Sequence, residues 1–164
     1  MRSVALALVL VMSACNYSFR AGSFPPEHIR TIAIEPFENQ TNRFELSAEL
    51  YDQLLINLPG ALGIRTAGAD IADAVVRGSI TRFDVVTPNY TSGGVGRAPE
   101  VVQRQVSIGV SVQIIDLVDN VILWESSSLG AQGEFAEGAP ELEGRSEAIE
   151  LLVQRIVDGA QSNW

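Results

Sequence analysis

The sequence contains one cysteine, Cys15, and its surroundings predict a covalent modification of its thiol rather than catalysis. A positively charged start, Met1-Arg2-Ser3, is followed by nine residues without a polar side chain (4–12) and then by two small residues. This order is typical of a secretory signal peptide. Nine apolar residues extend only about 14 Å as a helix, well short of the ~30 Å hydrocarbon core of a bilayer. The segment therefore predicts a removable signal rather than a membrane span.

The four residues Met12-Ser13-Ala14-Cys15 resemble the bacterial lipobox, in which cleavage leaves a lipidated cysteine as the first residue. We therefore predict a signal peptide over residues 1–14 and an S-diacylglycerol and an N-acyl (palmitate) group on Cys15. Several acyl chains anchor a protein stably, whereas one chain of myristoyl length binds only marginally. Met12 stands where the lipobox usually has leucine, so an ordinary signal peptide with a chance cysteine is the alternative.

Few other residues have the types and spacing that catalysis requires. The only histidine, His28, follows Pro26 and Glu27 and is expected to be an isolated surface residue of a linker. The glycines at 93, 94 and 96 lack the lysine and the serine or threonine of a phosphate-binding loop and do not open a helix. No group of His, Cys and Asp residues has metal-ligand spacing. We therefore predict no metal site, no cofactor and no enzymatic activity.

The charge of the chain excludes nucleic acid as a partner. There are 20 acidic residues, 11 arginines and no lysine, for a net charge of −9 that becomes −10 when Arg2 leaves with the signal. Such a surface is repelled by nucleic acid phosphates. Between residues 75 and 115, however, arginines outnumber acids by four to two: Arg77, Arg82, Arg97 and Arg104. The guanidinium group suits phosphate, and ordinary ion pairs on strands are the alternative interpretation.

Hydrophobic periodicity predicts one domain over residues 28–164, joined to Cys15 by a short tether (15–27). The predicted strands are 28–37, 62–66, 74–86, 101–117 and 120–133, with helices at 43–58 and 146–160, a loop at 87–99 and an acidic connector at 134–143. Asn42 and Glu45 are expected to cap the first helix, and Pro59-Gly60 to end it. Two amphipathic helices on the apolar face of a mostly antiparallel or mixed sheet of four to five strands form a two-layer α+β sandwich.

The faces of these elements follow from the same periodicity. Along 105–114, apolar residues alternate with uncharged polar or small ones, which predicts an antiparallel strand with one buried face: Val106, Ile108, Val110, Val112 and Ile114 against Gln105, Ser107, Gly109, Ser111 and Gln113. The first helix is expected to bury Phe44, Ala48, Tyr51, Leu54, Leu55 and Leu58. The last helix is expected to bury Ala148, Ile149, Leu152, Val153, Ile156 and Val157.

Several segments resemble the LptE family of lipopolysaccharide (LPS)-assembly lipoproteins. They are CNYSF from Cys15, HIRTIAIEPFENQT from His28, FELSAEL from Phe44 and IIDLVDNVILWESS from Ile114. The resemblance implies a periplasm-facing lipoprotein, anchored in the outer membrane, that sits inside an LptD-like β-barrel of the LPS translocon. It also implies support of barrel assembly and binding of LPS, for which Arg77, Arg82, Arg97 and Arg104 are the candidates. The uncharged strand face would then contact the hydrated interior of the barrel.

Two other classes of function are compatible with a lipid anchor and a small α/β domain. One is an outer-membrane lipoprotein that regulates a peptidoglycan synthase, and the other is a lipid-anchored hydrolase. A regulator of that kind needs a long tether to cross the peptidoglycan, whereas about 12 residues at ~3.5 Å each reach only ~40 Å here. A hydrolase would need a catalytic constellation that the sequence does not contain. Both considerations favour a domain held close to the membrane.

Overall fold

The computed structural model describes residues 24–91 and 100–162, with only the backbone for the described residues of 88–102. The predictions for the signal peptide, for Cys15 and for Arg97 therefore lie outside the described residues. Six strands and two helices follow one another along the chain. They are β1 (Thr31–Ile34), β2 (Glu38–Asn39), α1 (Glu45–Leu62), β3 (Arg65–Thr66), β4 (Ala74–Thr91), β5 (Glu100–Asp116), β6 (Val121–Ala136) and α2 (Glu141–Ser162).

The strands form one mixed sheet in the order β3-β1-β4-β5-β6, and β2 pairs with β4 beyond the end of β1. The three short strands run parallel to their neighbours, whereas β4, β5 and β6 are antiparallel. Both helices pack on one face of this sheet, and their apolar side chains form a single core with it. The predicted two-layer α+β sandwich is confirmed, with six strands instead of four to five.

The predicted alternation along β5 is confirmed, because all five apolar residues of the pattern are at most 1% exposed. The predicted face of α2 is also confirmed, and only Val157 of that set is half-buried. The predicted face of α1 was partly wrong. Its buried leucines recur at every fourth position, at 46, 50, 54, 58 and 62, while Phe44 is 87% exposed and Ala48 is exposed. The face is rotated because α1 packs beside α2 on the sheet, against both the short strands and the neighbouring helix.

The two ends of α1 also differ from the prediction. Asn42 does not cap the helix; Asn39 organises the entry, accepting hydrogen bonds from the amide and hydroxyl of Thr41 and donating one to the carbonyl of Arg43. Pro59 lies inside the helix, which continues for three more residues. The helix ends at Gly63, whose φ of 69° suits glycine, with Ile64 N–H donating to Pro59 C=O and Gly63 N–H to Gly60 C=O.

The β-hairpins are longer than predicted. β4 extends to Thr91 and β5 begins at Glu100, so the first five residues of the predicted glycine- and proline-rich loop are strand. β6 likewise runs to Ala136 and α2 begins at Glu141, which leaves only four residues of the predicted acidic connector. Cross-strand pairing extends the strands past the point at which their own sequence pattern ends.

Helix α2 crosses β6 at a close glycine contact. A Cβ atom on Gly133 would overlap the carbonyl oxygen of Gly144 and lie 2.6 Å from the amide nitrogen of Ala148. Two side chains of α2 then reach the outer edge of β6: Glu147 accepts a hydrogen bond from the amide of Glu134, and Arg155 donates one to the carbonyl of Gly130. The helix thus covers both a face and part of an edge of the sheet.

Neither of the helices in the described residues is apolar over enough of its length to cross a membrane.

Candidate interaction surface and the tether clasp

The side of the sheet that carries no helix is the candidate interaction surface. Because β-strand side chains alternate between the two faces, the polar partners of the buried β5 residues point to this side. Gln105, Ser107, Ser111 and Gln113 are half-buried or exposed there, and Gly109 lies between them without a side chain. The predicted uncharged face of β5 is confirmed as an outward-facing surface.

A groove of about 600 Å³ lies on this sheet, across β4, β5 and β6. It is lined by hydroxyl, amide and charged side chains together with two small or apolar residues: Arg77, Gly78, Ser111, Val112, Gln113, Glu125, Ser126 and Ser127. The groove therefore offers many hydrogen-bonding groups and little apolar surface.

Several polar groups of the uncovered face form hydrogen bonds across the strands. The hydroxyl groups of Ser79 and Ser111 lie 2.8 Å apart across β4 and β5. Gln113 donates to Glu125 of β6 over 3.1 Å, and the hydroxyl of Thr81 donates to the carbonyl of Gly109 at the same distance. These cross-strand bonds hold the side chains in fixed positions, so a partner meets a preformed polar surface.

The structure separates the arginines that the sequence grouped together. Arg77 and Arg82 pair with residues 113 and 109 of β5, so both lie on the uncovered face, about 15–17 Å apart along the strand. Arg104 pairs with the buried Phe135 and therefore belongs to the helix-bearing side. Arg97 lies outside the described residues. A single basic cluster made of all three described arginines is therefore excluded.

Each of these three arginines has an acidic partner. Arg77 makes two hydrogen bonds to Glu35, at 2.8 and 2.9 Å. Arg104 lies 2.9 Å from Glu137, and the longer contact of Arg82 with Asp84 is 3.6 Å. The loosest of these pairs, Arg82–Asp84, leaves the most exposed guanidinium of the three. Arg82 is therefore the arginine of this set most available to an anionic ligand.

Sequence reasoning missed a polar cluster that joins the tether to the β5–β6 turn. His28, expected to be an isolated surface residue, donates its Nε2–H to Asp116 over 2.6 Å and lies 3.8 Å from Asp119. Asp116 is almost completely buried, and its other oxygen accepts the amide N–H groups of Val118 and Asp119. We call His28, Asp116 and Asp119 the tether clasp.

The clasp shifts the pKa values of its members. The hydrogen bond with Asp116 raises the pKa of His28, partial desolvation opposes this shift, and the charges of Asp116, Asp119 and Asp73 add to it. Burial raises the pKa of the Asp116 carboxyl, but its hydrogen bonds to Asp119, His28 and Val118 together outweigh burial and lower it. The two shifts favour an imidazolium–carboxylate pair.

The tether clasp also has the residue types of a metal site, since one ligand atom of each member lies within 4.8 Å of the others. Both oxygens of Asp116 already accept hydrogen bonds, however, and the imidazole Nε2 is one of the donors. A cation would have to replace these bonds. The donor set therefore fits a structural clasp better than a metal centre.

The family follows from a comparison with known proteins. A family model described as LptE, lipopolysaccharide-assembly, matches residues 29–159, which is most of the chain. The chain belongs to the LptE family. The resemblance noted in the sequence is thus confirmed, and the assignment to a family of assembly lipoproteins supports the prediction that this LptE-family protein is not an enzyme. No sequence among the curated proteins matches the chain.

Several solved structures share the fold. The hypothetical protein CT253 from Chlamydia trachomatis has a TM-score of 0.53 at 12% identity, with 81% of this chain and 98% of that chain covered. The PelC dodecamer subunit from Paraburkholderia phytofirmans has a TM-score of 0.51 at 16% identity, with 80% and 89% covered. The uncharacterized lipoprotein B from Nitrosomonas europaea has a TM-score of 0.51 at 12% identity, with 82% and 83% covered. At these identities the similarity establishes the fold alone.

Proposed function

We propose that this LptE-family protein is a lipid-anchored subunit of the outer-membrane LPS translocon. It faces the periplasmic side, fills part of an LptD-like β-barrel, supports the assembly of that barrel and aids delivery of LPS to the outer leaflet. The observation that carries this proposal is the family match over residues 29–159. The protein acts by binding and positioning rather than by catalysis.

The uncovered face of the sheet is the surface that we propose contacts the barrel wall. The interior of a large barrel is lined by polar residues and water, so its binding partner needs many hydrogen-bonding groups and few unpaired charges. The serine and glutamine side chains of β5 meet this requirement, because they present hydroxyl and amide groups, and those of Ser111 and Gln113 are already paired across the strands. Water can bridge the remaining groups at little cost in free energy.

For LPS itself, we propose that phosphate groups bind to arginines of the β4–β5 hairpin. Arg82 is the first candidate, since its contact with Asp84 is long and a phosphate can replace that carboxylate. Arg77 would have to release Glu35 first, and Arg97 lies in the sequence between β4 and β5. Arg104 would act separately, from the helix-bearing side.

The anchor in this proposal is Cys15, with its diacylglycerol and N-acyl group, after removal of residues 1–14. Residues 15–27 then form the tether of the single domain at 28–164. The alternative function, regulation of a peptidoglycan synthase, is disfavoured by the family match and by the short tether.

The proposal is tested by purifying the lipidated protein from detergent-solubilised outer membranes and identifying the proteins that co-purify. We expect one large β-barrel protein in about equal amount. The variant with Ser107→Arg and Ser111→Arg should lose this partner, because two charges would enter the barrel contact. Ser146→Arg with Ser162→Arg, the same change on the exposed surface of α2, should retain it. Recovery of a peptidoglycan synthase in place of a barrel would contradict the proposal.

A further inference from the structure

One end of the sheet carries a group of exposed apolar side chains. They are Ile71 in the loop before β4 and four residues around the β5–β6 turn, between 38% and 73% exposed: Leu117, Val118, Val121 and Ile122. The amide of Leu117 donates to the carbonyl of Asp73 over 2.8 Å, which places the loop beside the turn. We call these five residues the apolar tip.

The tether joins the domain at this same end. His28 contacts Asp116, the last residue of β5, and Asp119, which lies in the β5–β6 turn. Both aspartates therefore lie among the exposed residues of the apolar tip. The clasp therefore fixes His28 at this end of the sheet, four residues after Phe24, which already packs against the core. Nine residues (15–23) precede Phe24, and at ~3.5 Å each they reach at most about 30 Å. A lipid on Cys15 thus holds the domain close to the membrane and favours an orientation with this end towards it.

The charges at this end identify the kind of lipid surface that it fits. The described acidic residues there outnumber the arginines: Glu27, Asp70, Asp73, Asp116 and Asp119 against Arg30 and Arg65. Membrane-binding surfaces that rely on anionic lipids carry clusters of lysine and arginine instead. A membrane contact at this end would therefore rely on apolar insertion, and a zwitterionic surface permits it without repulsion of these acids.

We propose that the apolar tip inserts into the interfacial layer of a zwitterionic lipid surface, next to the anchor on Cys15. This inference rests on the proposed lipidation of Cys15. Interfacial segments place their apolar side chains about 5–10 Å into the boundary between head groups and acyl chains. The valine and isoleucine side chains of the turn would occupy that boundary, while Asp119, close to His28, stays at the level of the head groups. The anchor and the tip would together fix the orientation of the domain.

The test uses the full, lipidated protein in phosphatidylcholine vesicles that contain a lipid with a nitroxide close to its head group. Val118→Cys and Val86→Cys each receive a thiol-reactive, polarity-sensitive dye. Val86 is the matched control, since it is an exposed valine near the opposite end of the same sheet. Wild-type protein treated with the dye reports whether the thiol of Cys15 is already blocked. Circular dichroism of each labelled variant verifies the fold.

The proposal predicts unlabelled wild type, a blue-shifted and quenched dye at Val118, and an unquenched dye at Val86. Replacing half of the lipid by phosphatidylglycerol should reduce the quenching at Val118, and an increase would contradict the zwitterionic preference. If the wild type is unlabelled and the dye at Val118 is not quenched, the membrane contact is overturned and the anchor stands. A blue shift of the dye at Val118 without quenching would instead assign the apolar tip to a protein partner or a second copy. Equal quenching at Val118 and Val86 would contradict the proposed orientation of the domain. Labelling of the wild type would show that the thiol of Cys15 is free, which contradicts both the anchor and this inference.

Discussion

At the scale of single residues, the contact between His28 and Asp116 makes stability depend on pH. The pKa of His28 is raised above its ordinary value of 6.5, so its contribution is complete below that pH and is lost as pH rises through the raised value. The pKa of Asp116 is lowered from 3.8, so its contribution is present above that pH and is lost as pH falls through the lowered value. The clasp therefore stabilises the fold most between these two ordinary values.

The first prediction concerns the loss of stability as the pH rises through the raised pKa of His28. Wild-type protein should lose thermal stability between pH 6.5 and the pH at which folded His28 is neutral, and His28→Asn should lose less over that interval. The measurement is Tm by circular dichroism over a pH series in buffers of equal ionic strength. His28 is the only histidine, so no second imidazole contributes. Parallel curves for the two proteins would show that the contact has no energetic effect.

The sequence contained one signal for this contact. Every second residue of β5 from 106 to 114 is buried, and Asp116 is the next position in this series. Its carboxylate therefore falls on the core-facing side. A buried carboxylate requires hydrogen-bonding partners, which is what the clasp supplies. The identity of the partner could not be predicted, because His28 is 88 positions away and only the tertiary fold brings the two together.

At the scale of elements, the second prediction concerns the glycine contact between α2 and β6. Gly133→Ala places a Cβ against the backbone of α2, and overpacking of this kind costs about 1–3 kcal/mol of the free energy of unfolding. Urea unfolding measures the loss. Gly60→Ala is the control, since nothing lies within 4 Å of its added Cβ and alanine favours a helix. Equal stabilities for the two variants would contradict the close packing.

The third prediction concerns the ion pairs between the two helices. Arg145 of α2 is 12% exposed and binds Glu49 of α1 through two hydrogen bonds, at 2.8 and 2.9 Å, with Glu45 at 3.1 Å. Arg145→Met leaves these partly exposed acids close together. We expect the free energy of unfolding to fall by about 1–2 kcal/mol, which lies between the contributions of exposed and of buried ion pairs. Urea unfolding at low and high salt should show a smaller loss at high salt. Arg82→Met, at a more exposed and looser pair, should change stability by less than about 0.5 kcal/mol.

The elements were predictable to different degrees for a physical reason. β5 was predicted closely because a strand that buries one face needs only alternation. The end of α1 was not, since local preference stops a helix at Pro59, whereas burial of Leu58 and Leu62 continues it. The N-terminal turn was assigned to the wrong asparagine, because Asn39 acts through side-chain bonds over four residues that no periodicity reveals.

At the scale of the whole molecule, charge is divided between the two layers. The helices carry eight acidic residues and two arginines, whereas the outward side of β5 carries no charge from Gln105 to Gln113. If the uncovered face contacts the barrel, attraction between net charges contributes little to the complex. The acidic helices would keep the opposite layer solvated.

The fourth prediction follows from this division. The complex with the barrel should survive purification in about 1 M salt, where screening reduces the Debye length to about 3 Å. The measurement is the amount of barrel protein recovered at low and at high salt. Arg82→Ala, which alters a charge on the uncovered face, should change LPS binding without changing this recovery. Release of the barrel by salt alone would mean that ion pairs hold the complex.

The fold class could be predicted from the sequence, but the sheet order could not. Alternation in β5 and two amphipathic helices are enough for a two-layer sandwich. The position of β1 between β3 and β4 depends on the crossover through α1, and the register of so short a strand is fixed by only three paired positions. The resemblance to the LptE family added the functional expectation, which no pattern of catalytic residues could provide.

The hydrogen bonds between α2 and the outer edge of β6 bear on how well the free protein resists aggregation. An unpaired sheet edge is a template on which other chains aggregate. Here Glu147 and Arg155 occupy an amide and a carbonyl of that rim from the side of α2. If the protein is the barrel subunit proposed above, it must stay free of contacts with a second copy of itself until it meets the barrel. Glu147 and Arg155 therefore protect the edge of β6 from pairing with other chains while the protein is free.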